Sequence, residues 1–135
     1  MATSKVVYNG SLRTTSTHLQ SGIEIITDAP VDNQGKGEAF SPTDLLATSL
    51  ANCMLTIMGI AARTQEIDMD GTTAEVTKVM ATEPRRVSEI HVNFSFPKKD
   101  SYSDKQKKIL ENAALTCPVH HSLHPDIKKP VNFGW

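Results

Sequence analysis

"SPTDLLATSLANCMLTIMGIAA", residues 41–62, decides how the rest of the chain is read. From Leu45 to Ala62 it holds no charged residue, a run of 18. Ser41 suits a helix N-cap, Pro42 suits the first helical position, and Asp44 completes a capping-box pattern. Leu46, Leu50, Cys53, Ile57 and Ile60 then recur at steps of four and three, the repeat of one helical face. Leu45, Met54 and Met58 widen that face, so the spacing predicts a long helix apolar over most of its surface. Such a helix needs cover on more than one side, from a sheet and from a partner subunit. The run falls short of the roughly 20 apolar residues of a membrane span. It also carries Thr48, Ser49, Asn52 and Thr56, which favours a buried helix of a soluble protein.

Working outward, "KVVYNGSLRTT" (5–15) carries Asn9-Gly10, a strong hairpin signal, and "GIEIITD" (22–28) reads as a third strand. A polar loop with Gly35 and Gly37 leads to the helix. Beyond the helix, residues 72–82 read as a strand and 83–86 as a turn. Residues 87–96, "VSEIHVNFSF", alternate: Ile90, Val92, Phe94 and Phe96 share one face, while Glu89, His91, Asn93 and Ser95 share the other. That is the pattern of a half-buried strand in an antiparallel sheet. A second helix is expected from Ser103 and Asp104, a short third one at "CPVHHSL" (117–123), and a final strand in "PVNFGW". The order βββ-α-ββ-αα(β) predicts one α+β domain over residues 1–135, with helices packed on antiparallel sheet.

Charge is balanced, with 14 Lys plus Arg against 15 Asp plus Glu, and only 5% of the 135 residues are aromatic. No nucleic-acid partner is expected from that surface. The first residues lack an apolar signal-peptide core, so a cytoplasmic location is expected. The two cysteines, Cys53 and Cys117, stand 64 positions apart, in neither a CxxC nor a local metal motif. In a reducing compartment they point to a transient disulfide rather than a structural one.

Cys117 precedes Pro118 at an expected helix start, where backbone N–H groups and the helix dipole favour thiolate. His120 and His121 would add positive charge if protonated. Cys53 lies mid-helix among apolar residues, which raise a thiol pKa, and on local pattern alone packing is its simpler role. A metal reading uses Cys117, His120, His121 and His124, with Cys53 as a further ligand, although no zinc-finger spacing is present.

The combination of "SPTDLLATSLANC" with "LTCPVHHSL" some sixty residues later closely resembles the OsmC/Ohr family of thiol peroxidases, on its OsmC-like branch. The resemblance covers nearly the whole chain. It implies an intertwined homodimer in which sheets wrap around long central helices. It further implies that Cys53 is the peroxidatic thiol, oxidised by a peroxide substrate to a sulfenic acid. Cys117 would then be the resolving cysteine that forms a disulfide with it. A dithiol, lipoyl-type in Ohr relatives, restores both thiols, and no metal or organic cofactor is needed. An arginine of the amino-terminal hairpin stabilises the thiolate in such proteins, and Arg13 is the only arginine there. One position departs from the pattern. Ohr-type sequences carry a glutamate after the helix-opening proline, where this chain has Thr43, leaving Glu38 and Asp44 as candidate partners for Arg13. That departure sets a second expectation beside peroxidase activity, an OsmC-like scaffold that binds a small molecule without turnover.

Overall fold

The computed structural model describes residues Met1–Trp135. In it the apolar run forms one helix, α1 (Pro42–Thr64). Its start is locally encoded: the Ser41 amide donates to Asp44 Oδ2 at 3.0 Å, and the Asp44 amide donates to Ser41 Oγ at 3.1 Å. This reciprocal pair satisfies two donors that a helix start leaves orphaned. The buried face consists of Ala47, Leu50, Ala51, Met54, Met58 and Ala62. Cys53 and Ile57 lie on its margin, whereas Leu46 and Ile60 are exposed. The buried stripe is thus turned about one residue from the expected one. With apolar residues on both tracks, periodicity could not choose between them; Ala47, Ala51 and Ala62 are small enough to allow close approach. By length and composition α1 is apolar enough to cross a membrane, yet Leu50, Met54 and Met58 are fully buried in the core.

The chain divides into two compact units, Met1–Leu46 and Ala47–Trp135. The first holds an antiparallel sheet of β1 (Ser4–Gly10), β2 (Arg13–His18) and β3 (Glu24–Asp28), in that order. The hairpin turn is not at Asn9-Gly10 as the sequence predicted. Gly10 pairs with Arg13, and Ser11 and Leu12 turn the chain at φ of 55° and 62°. The pairing is irregular between Tyr8 and Gly10, where Gly10 at φ 85° supplies the backbone that such a bulge requires. In register, Arg13 lies opposite Asp28 and Thr15 opposite Ile26. The buried residues of this unit are polar: Thr27, Asp28 and Ser41. Its large apolar side chains Val6, Tyr8, Ile23 and Ile25 are exposed. In the following loop a Cβ on Gly35 would sit 1.7 Å from the Ala29 carbonyl oxygen, so only glycine fits.

The second unit contains β4 (Thr73–Ala81), β5 (Arg86–Ser95), α2 (Asp104–Leu115), α3 (Pro118–Ser122) and β6 (Val131–Asn132). Strand β5 is central, antiparallel to β4 and parallel to β6. The expected alternation holds. Ile90 and Val92 are fully buried, and Phe94 and Phe96 nearly so. A capping box between Ser103 and Gln106 opens α2, which contributes Leu110 and Ala114 to the core. Burying each large aliphatic side chain, such as Leu50, Ile90 or Leu110, contributes about 1.5–3 kcal/mol. The Trp135 ring lies tilted against Phe96 with centroids 4.4 Å apart, and its indole N–H donates to Glu111 Oε1 at 2.9 Å. This contact ties the carboxy-terminal residues to α2.

Candidate functional site

Within the second unit, α1 supplies Cys53 and the start of α3 supplies Cys117. Both are free thiols; Cys53 is half-buried and Cys117 fully buried. Pro118 occupies the first turn of α3, and Cys117 is its N-cap, accepting the His120 amide on Sγ at 3.3 Å. The fold brings the two cysteine side chains close enough to interact. A pair 64 positions apart in sequence is therefore local in space. Burial pushes the Cys117 thiol up, and the neighbouring Cys53 thiol adds to that. The His120 amide pulls it down but does not win. The helix-start argument for a Cys117 thiolate thus names a real contact and misjudges the balance, because a buried anion loses more hydration than one amide returns.

His120 does not supply the positive charge considered for it. Burial lowers its pKa below the ordinary imidazole value, with Lys129 and His121 adding to the effect, so it is neutral at pH 7. The rings of His120 and His121 stand edge to face at 5.9 Å. No three of the His, Cys, Asp and Glu side chains converge as a metal site, so the proposed Cys/His ligand set does not assemble in this chain. A cleft of about 350 Å³ is lined by residues that include Thr56, Gly59, Ile60 and Arg63, but by neither thiol.

Within the first unit, Arg13 forms a two-point ion pair. Its Nε donates to Asp28 Oδ1 at 2.6 Å and its Nη2 to Asp28 Oδ2 at 2.7 Å. The Asp28 side chain is only 1% exposed and also accepts the Glu38 amide at 3.2 Å. The Arg13 guanidinium holds the Asp28 carboxyl below the usual carboxylate range, and Asp28 in turn raises the Arg13 pKa. Of the two expected partners, the Glu38 carboxylate lies 3.7 Å from Nη2 and is largely exposed. Asp44 is engaged in the capping box with Ser41. The Thr43 hydroxyl contacts Ser41 Oγ at 3.3 Å. Asp28 itself was missed. It closes "GIEIITD", and only the β2–β3 register brings it opposite Arg13.

The family model described as OsmC-like protein matches residues 35–130. The chain is 68% identical to a candidate osmotic stress induced and detoxification response protein from Psychrobacter arcticus 273-4, with a TM-score of 0.95. That comparison covers 98% of this chain and 96% of the other. An OsmC-like protein from Mycoplasma pneumoniae is 22% identical, with a TM-score of 0.77 over 96% of this chain and 93% of that one. An organic hydroperoxide resistance protein, OsmC, from Legionella pneumophila is 14% identical, with a TM-score of 0.71 over 100% of this chain and 98% of that one. A comparison with curated proteins gives no match. The α+β order of elements and the two cysteine contexts agree with the family match. The chain belongs to the OsmC-like protein family.

Proposed function

We propose that the protein is a thiol-dependent peroxidase acting on organic hydroperoxides or hydrogen peroxide in oxidative stress defence. The observation that carries this reading is the pair of interacting free thiols, one half-buried and one fully buried. Cys53, the more exposed, is the attacking group. Its thiolate attacks the distal oxygen of R–O–O–H, forming an S–O bond and displacing the alkoxide as the O–O bond breaks. The alkoxide leaves with a proton as ROH, and Cys53 becomes a sulfenic acid. The Cys117 sulfur then attacks the Cys53 sulfur, releasing water and leaving a disulfide. A dithiol reductant of lipoyl type reopens it by two exchange steps and is itself oxidised to a cyclic disulfide. The name of the Legionella relative, an organic hydroperoxide resistance protein, supports the substrate class.

In this reading Arg13 stabilises the Cys53 thiolate, Glu38 adds a second carboxylate beside the guanidinium, and Asp44 fixes the start of the helix that carries Cys53. The working unit is a homodimer in the cytoplasm. Support for the dimer comes from the first unit, whose sheet leaves Val6, Tyr8, Ile23 and Ile25 uncovered, and from exposed Ile60 on α1. The decisive experiment adds one equivalent of cumene hydroperoxide and counts free thiols. Loss of both thiols per chain, restored by a dithiol, is expected. Cys53→Ser abolishes peroxide consumption, and Cys117→Ser leaves a sulfenic acid that dimedone traps. Unchanged thiol counts would refute the reading and favour a binding protein without turnover.

A further inference from the structure

We infer that α3 is a redox-linked catch: the sulfur that caps it is the sulfur that a disulfide with Cys53 takes away, so oxidation uncaps the helix and loosens the cover over Cys117. This inference rests on the interacting thiol pair of the reading above. Helix α3 has five residues, Pro118–Ser122, and none of them is fully buried. Val119 packs against the core only from its margin. A helix this short does not hold itself together, because fixing the first turn costs more than its few hydrogen bonds return. It depends on its ends. The His120 amide donates to Cys117 Sγ at 3.3 Å, with Cys117 as the N-cap. The His121 amide donates to Cys117 O at 3.2 Å, and the Leu123 amide to Val119 O at 3.1 Å. The Ser122 hydroxyl donates to Pro118 O at 2.8 Å. Cys117 thus accepts two of these four contacts, one of them on its sulfur.

The two engagements of that sulfur compete. A thiolate is a strong acceptor for an amide, but a sulfur bonded to a second sulfur carries no charge and accepts only weakly. A covalent bond is also shorter than any contact between free thiols, so Sγ shifts toward α1, which carries Cys53. A cap that no longer accepts leaves the first amides of the helix without a partner. The loosening stays local, because the chain is anchored on both sides of α3. Before it, Leu110 and Ala114 of α2 are fully buried. After it, Leu123 is buried, and the Ile90 and Val92 amides of β5 donate to Lys128 O and Pro130 O at 2.8 and 3.1 Å. The residues between these anchors can open while the core stays folded. In the reduced chain Cys117 is fully buried. In the oxidised chain the loosened turn uncovers its sulfur to the dithiol that reopens the bond.

The test measures amide hydrogen exchange by NMR in the full chain, reduced and after closure of the disulfide with diamide. Diamide takes up the two protons and two electrons that the thiols release. Exchange at His120, His121 and Leu123 is expected to quicken roughly fivefold on oxidation, the factor that loss of one N-cap gives. The Gln106 and Ile90 amides, held by Ser103 Oγ and Lys128 O, are expected to keep their rates. Equal or slower exchange in the oxidised chain would overturn the inference, since the cross-link would then hold the turn rather than release it. So would failure of diamide to form the disulfide. Cys117→Ala removes the cap without a cross-link and is expected to reproduce the oxidised rates. Cys117→Ser keeps an acceptor and is expected to retain the reduced ones; the reverse order would overturn the inference. If Cys117→Ala does not fold, Cys53→Ser in diamide takes its place. Reduced rates there support the inference, and quickened ones overturn it, because no disulfide with Cys53 can form. Quickened exchange after diamide, in a protein whose thiols cumene hydroperoxide leaves intact, overturns the peroxidase reading and leaves this inference standing.

Discussion

Alkylation of the native protein with iodoacetamide separates the two sulfurs, and the structure sets the size of the difference. Cys53 is half-buried on the margin of α1, so reagent reaches it without major rearrangement. Cys117 is 0% exposed and must wait for α3 to open. Opening breaks the contacts Cys117 N–H to Ala114 O, His121 N–H to Cys117 O, Leu123 N–H to Val119 O and His120 N–H to Cys117 Sγ. At a net ~1 kcal/mol each, these amount to about 4 kcal/mol. Since 1.4 kcal/mol is a factor of ten, Cys117 is expected to react roughly a thousandfold more slowly than Cys53. The raised Cys117 pKa widens the gap. The assay is a quenched time course with peptide mass spectrometry on each cysteine. Labelling of Cys117 within tenfold of Cys53 would refute the reasoning, because neither burial nor helix closure would then be holding it back. It would also remove the ground for naming Cys53 as the first thiol to meet a peroxide.

Two further outcomes follow from the same geometry. Leu50→Ala removes a fully buried side chain one turn before Cys53 and is expected to cost about 2–5 kcal/mol in urea unfolding; an unchanged midpoint would mean that this face of α1 is not core. In the proposed mechanism the disulfide-forming step requires a Cys117 thiolate, and burial first of all holds that thiol above its ordinary pKa. Below that raised pKa the thiolate fraction climbs about tenfold per pH unit, so the Cys53 sulfenic acid, timed by dimedone capture, should be longest-lived at low pH and shorten as pH rises. A pH-independent lifetime between pH 6 and 8 would contradict it.

What the sequence made readable was set by short-range chemistry. The start of α1 was visible because Ser41, Pro42 and Asp44 act within four residues of one another. The inward face of β5 was visible because alternation in a strand has a single solution. Cys117 could be placed at a helix start from Pro118 alone. The misses were all competitions or distant pairings. On α1 two apolar tracks competed, and the alanines decided. At Cys117 one amide competed with desolvation and lost. In the hairpin, Asn9-Gly10 was a sound turn signal, yet the chain used it as a bulge one step before the turn. Asp28 was invisible because its role depends on a strand pairing 15 residues from Arg13, and no local pattern specifies that register. The family resemblance, in contrast, joined Cys53 to Cys117 across 64 positions that composition could not bridge.

The pairing of Arg13 with Asp28 also makes strand alignment a condition of a buried ion pair. Successive side chains of a strand point to opposite faces, so a slip of one residue between β2 and β3 would turn the two groups away from each other. Such a molecule would keep its thiol pair and its buried carboxy-terminal core while lacking the ion pair. Counting free thiols or measuring helix content would not distinguish it from the native form. The fraction of a preparation whose Asp28 carboxyl stays below the usual carboxylate range would therefore report how many amino-terminal sheets closed in the right alignment.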